Sequence, residues 1–155
     1  MQEFADVLSR EHVQLEFLLF KLVELRQLLT AGERSFWRWA GAEVSRANER
    51  VQLTEERRQQ LLQECCADAG LEAERATLAT LAQWSPEPWH TILEDYRTNV
   101  RRLRADIDAV RRDIRAQAET AGPWLAEIVD ATYRPVAFGL PGPRPRPSDT
   151  SSQPR

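Results

Sequence analysis

Between Phe4 and Gly32 the chain reads FADVLSREHVQLEFLLFKLVELRQLLTAG, and its apolar residues return at alternating steps of four and three. The stripe runs Phe4, Leu8, Glu11, Leu15, Leu18, Leu22, Leu25, Leu29. Glu11 is its one polar interruption, and Phe17, Leu19, Phe20 and Leu28 widen the second half. This spacing places the apolar side chains on one side of a long helix. At a rise of about 1.5 Å per residue such a helix is roughly 40 Å long, more than a small compact domain needs, so its partners must be helices of similar length.

The rest of the chain supplies them. No proline precedes Pro86, and Gly32 stands where a left-handed residue would end the first helix near Ala31. A second stripe, Ala40, Val44, Ala47, Val51, Thr54, Arg58, Leu61, Cys65, keeps the same spacing with small or polar residues at several core positions. Phe36, Trp37 and Trp39 fall at its start and are expected to pack over the turn, with Ser35 a candidate cap. Gly70 ends this helix, and Leu71 to Gln83 reads as a short amphipathic connector carrying Leu71, Leu78 and Leu81. In Ser85-Pro86-Glu87-Pro88-Trp89, Ser85 is placed to cap a third long helix, Pro86 to occupy its first position and Glu87 to face its positive end. The stripe that follows is the cleanest: Trp89, Leu93, Tyr96, Val100, Leu103, Ile107, Val110, Ile114, failing only at Gln117 before Ala121.

Gly122-Pro123 breaks or kinks this helix, after which Trp124, Leu125, Ile128 and Val129 give one more short apolar face. From Pro135 to Arg155 the chain holds six of its nine prolines and has almost no apolar residue after Leu140, the composition of a disordered tail. The expected fold is all-α: an elongated antiparallel bundle of three long helices with coiled-coil-like packing and a short connecting helix. The helical domain spans residues 1–134 and the disordered Pro/Arg/Ser-rich tail residues 135–155.

Composition narrows the function. A charged fraction of 29% with a net charge of -3 argues against a broadly basic nucleic-acid binder. The arginines from Arg97 to Arg115 are interrupted by Asp106, Asp108 and Asp113, which reads as a solvated, mutually neutralising face. There is no apolar run of about 18 residues, and Glu3 and Asp6 stand where a secretory signal would need positive charge, so a cytosolic protein without stable membrane insertion is expected. Cys65 and Cys66 are adjacent on a helix, where bonding them together would strain the backbone, so reduced thiols are expected.

Catalytic chemistry finds no foothold. His12 and His90 have no second ligand at helical metal-site spacing, no glycine loop cradles a phosphate, and the carboxylates are scattered among arginines. Neither a cofactor nor an enzymatic activity is expected. Five tryptophans, Trp37, Trp39, Trp84, Trp89 and Trp124, lie at helix ends or breaks and are expected to seal hinge regions. Trp124 differs, because it shares its face with Leu125, Ile128 and Val129, a face for which the bundle has no evident room.

The opening segment from Phe4 to Gly32, the helix carrying Glu43 and Val44, and the turn from Ser85 to Trp89 together resemble the FlgN-type flagellar export chaperones, particularly the actinobacterial branch. The resemblance covers about residues 4 to 133. It implies a small, cytosolic, all-helical type III export chaperone without enzymatic activity. Such a chaperone binds the helical terminal segments of hook-filament junction proteins, prevents premature assembly and delivers them to the export gate. It further implies that client binding falls on the C-terminal helical region, here Val110, Ile114, Trp124, Leu125, Ile128 and Val129, and that Tyr133 is the candidate contact with the export gate. The alternative is a self-associating coiled-coil scaffold or adaptor using the same stripes.

Overall fold

The computed structural model describes residues 1–71 and 76–121, and these are all-helical, with no strand among them. Four helices follow in order: α1 (Gln2–Ala31), α2 (Arg34–Asp68), α3 (Leu78–Trp84) and α4 (Trp89–Ala121). The expected Trp124, Leu125, Ile128, Val129 and Tyr133 contacts and the tail from Pro135 lie outside the described residues.

The ends of α1 and α2 follow from two glycines. Gly32 adopts φ 70, and its N–H and that of Glu33 donate to the carbonyls of Leu29 and Leu28, both at 3.1 Å. This closes the last turn of α1 as a glycine terminator should, and the Trp37 indole N–H adds a bond to the Leu28 carbonyl at 3.0 Å. Gly70 repeats the device with φ 70 just beyond α2, where the Leu71 N–H reaches the Cys66 carbonyl at 2.9 Å.

The start of the last helix differs from expectation. Ser85 turns backward: its hydroxyl donates to the Leu81 carbonyl at 2.7 Å, finishing α3. α4 begins only at Trp89, because Pro88 disfavours the helical conformation at Glu87 and leaves Pro86 ahead of the helix. Glu87 keeps its expected role, since its carboxylate accepts from the Thr91 hydroxyl at 2.9 Å and from the Thr91 N–H at 3.4 Å. The connector helix α3 is also shorter than the Leu71 to Gln83 pattern implied. Thr77 starts it by accepting from the Thr80 N–H at 3.1 Å.

α1 packs against both α2 and α4, while α3 lies on α4 and touches α2. Ion pairs show the directions. Lys21 meets Glu43 at 2.6 Å and Thr54 bonds Gln14, so α1 and α2 run antiparallel. Arg26 meets Asp113 at 3.1 Å and the Thr30 hydroxyl meets Gln117 at 3.3 Å, so α1 and α4 run parallel. Between them lies a core of Leu15, Leu18, Leu22 and Leu25 from α1, Val44 and Val51 from α2, and Leu93, Ile107 and Ile114 from α4. The second stripe drifts at its end, so that Cys66 is buried in place of Cys65; neither forms a disulfide.

Candidate functional site

At core positions the three long helices carry charge. Glu11 of α1 is wholly buried, with its carboxylate 2.7 Å from Arg58 Nε of α2 and 3.7 Å from Arg104 Nη2 of α4. Glu55, also buried, stands 3.3 Å from Arg58 Nη2 and 3.8 Å from Arg104 Nη2. Two carboxylates thus face two guanidiniums across three helices, and the formal charges cancel. A cleft of about 540 Å³ opens from this cluster between α2 and α4, with Leu62, Leu78 and Val100 on its walls.

Burial sets the proton affinities here. It pushes the Tyr96 phenol well up, and the neighbouring Glu11 carboxylate adds to the shift. Burial lowers the Arg104 guanidinium, against the pull of Glu11 and Glu55. It also raises the Glu55 carboxyl above its ordinary 4.5, and Arg58 and Arg104 only partly oppose this. A carboxyl raised on folding binds its proton more tightly in the folded than in the unfolded chain. Its stabilising contribution is therefore full below about pH 4.5 and lost as pH rises through the higher folded value. We expect Glu55→Gln to remove that loss: urea midpoints measured from pH 4 to 7 should show wild type falling relative to the variant. A constant difference across this range would refute the assignment.

The arginine face of α4 is accordingly less solvated than its sequence implied. Arg97 does pair with Glu94, and Arg26 holds Asp113. Arg104 and Arg111, however, turn inward, Arg111 donating to Asn48 Oδ1 at 3.1 Å from a buried position. The histidines lie apart, His12 Nε2 3.4 Å from Glu16 and His90 Nδ1 2.9 Å from the Ala82 carbonyl. Among the described residues no group of three or more His, Cys, Asp or Glu is placed to hold a metal ion. Nor is any helix among them long and apolar enough to cross a membrane.

Of the residues expected to touch a client, Val110 and Ile114 are described, and both are core residues, 7% and 1% exposed. A partner reaches them only if α4 first moves. Exposed large apolar side chains lie elsewhere, most of them on α1 and α2. Val13, Phe17 and Phe20 stand on α1 and Phe36, Trp39 and Leu53 on α2, from 42% to 76% exposed. The four-three spacing of Val13, Phe17 and Phe20 places them on one face of α1. Lys21 links the two helices here: its ammonium lies 5.7 Å from the Phe17 ring centre and 5.3 Å from that of Phe20 while it pairs with Glu43. That pairing raises the Lys21 ammonium pKa.

Comparison with protein-family models, curated proteins and solved structures finds no match to this chain. The site therefore stands on its own geometry. The tryptophans divide: Trp37 seals the turn at 3% exposure as expected, whereas Trp39 and Trp84 project at 76% and 68%. The sequence carried a signal for the aromatic face in the Phe17 and Phe20 widening of the first stripe. It carried another for the charge cluster in Glu11 and Arg58, both at stripe positions.

Proposed function

We propose that the chain is a FlgN-type flagellar type III export chaperone, working in the cytosol without enzymatic activity. It binds the helical terminal segments of hook-filament junction proteins, keeps them unassembled and delivers them to the export gate. The observation that carries this reading is the outer surface of α1 and α2, where large apolar side chains stand uncovered along several helical turns. An amphipathic client helix docks on such a surface through its own apolar stripe. In this reading the three long helices form an elongated up-down-up bundle with coiled-coil-like packing. The C-terminal region with Trp124, Leu125, Ile128 and Val129 serves as a second part of the client site, and Tyr133 meets the gate.

Co-purification tests the proposal. The full chain should recover the hook-filament junction proteins of its own organism, and Phe17→Ser with Phe20→Ser should lose them while keeping the helical circular-dichroism signal. If wild type recovers none of these proteins, the reading fails.

A further inference from the structure

We infer that the cleft bounded by α2, α3 and α4 binds a small amphipathic monocarboxylate, an apolar body ending in one carboxylate, as in a medium-chain fatty acid. Its volume of about 540 Å³ is that of a small-molecule pocket. The lining has two parts. Leu62 of α2, Leu78 of α3 and Val100 of α4 form apolar walls, while Arg58, Arg97, Arg101 and Arg104 bring guanidinium groups to the same space. Arg97, Arg101 and Arg104 recur at four-three spacing, so one side of α4 carries all three. Among the described residues that line the cleft, Glu55 has the one carboxylate.

The charges around the cleft leave a surplus. Arg58 and Arg104 are balanced by Glu11 and Glu55, and Arg97 is balanced by Glu94. Arg101 is exposed and has neither an ion pair nor a side-chain hydrogen bond among the described residues. A guanidinium keeps its proton at any ordinary pH, so one positive charge is left for a ligand to match. Arg104, with its side chain still 29% exposed, lies about one helical turn further on, within reach of the same anionic group. Leu62 and Val100 are nearly covered, whereas Arg101 stands in solvent. The apolar body therefore lies along Leu62 and Val100, and the carboxylate stays at the rim against Arg101. An ammonium head would meet repulsion there, and a second carboxylate would find no further unpaired charge.

None of the lining residues belongs to the exposed apolar set assigned to the client, so this inference does not rest on the chaperone reading. Calorimetric titration of the full chain near neutral pH with octanoate, octanol and octylammonium tests it, because the three share a chain and differ in head group. Octanoate should saturate one site at least about tenfold more tightly than octanol, with octylammonium weaker still. Arg101→Gln should weaken octanoate at least about fivefold and leave octanol unchanged. Ala79→Glu places a carboxylate at an exposed lining position of α3 and should weaken octanoate at least about tenfold with helicity unchanged. Phe17→Ser with Phe20→Ser should leave octanoate binding intact. Absence of octanoate binding, equal affinity for all three probes, or an affinity indifferent to Arg101→Gln overturns the inference. A chain that recovers junction proteins without binding octanoate would keep the chaperone reading and lose this one, and the opposite result would do the reverse.

Discussion

Arg58→Met should lower the free energy of unfolding by about 3–5 kcal/mol, because it leaves the fully buried Glu11 carboxylate without its nearest cation. Arg104, at 3.7 Å and shared with Glu55, is placed less well to take over the role. The companion variant sharpens the cause. Glu11→Leu combined with Arg58→Met removes both charges, leaves Glu55 facing Arg104, and should recover most of the loss or exceed wild-type stability by about 1–4 kcal/mol. Urea unfolding of the three proteins decides the matter. Equal losses in the single and double variants would show that Arg58 acts through packing of its stem and not through its charge.

Leu22→Ala should cost about 2–5 kcal/mol, since Leu22 is wholly buried between helices that cannot collapse around the lost volume without disturbing neighbouring layers. Phe20→Ala, two residues earlier and 58% exposed, removes a larger side chain yet should change monomer stability by no more than about 0.5 kcal/mol. The contrast separates the two faces of α1 by measurement. A loss at Phe20 as large as that at Leu22 would mean that Phe20 is packed within the monomer.

Much of the helical framework was legible because it rests on local signals. Gly32 and Gly70 end their helices through backbone conformation alone, and the stripes Phe4 to Leu25 and Leu93 to Ile114 are buried as their spacing required. What escaped was set by other chains of contacts. Ser85 has two helix ends within reach, and only the placement of Pro88 determines which one it serves. Glu11 reads as a flaw in a stripe until Arg58 and Arg104, far away in sequence, are seen beside it. Arg104 and Arg111 look like surface charge until Glu11 and Glu55 are seen beside the one and Asn48 beside the other. Exposure is the least local property of all. Val110 and Trp39 are both apolar residues of long helices, yet one is covered and the other is bare because of where α4 lies.

The parallel course of α1 and α4 sets a timetable for synthesis. Arg26 and Asp113, like Thr30 and Gln117, are separated by 87 positions. At about 5–20 residues per second, a ribosome that has just completed one member of such a pair takes roughly 4–17 s to make the other. α2 is available much sooner and covers only one side of α1. During that interval the leucines destined for α4 are exposed, and the newborn hairpin is itself a client for whatever factor shelters emerging chains.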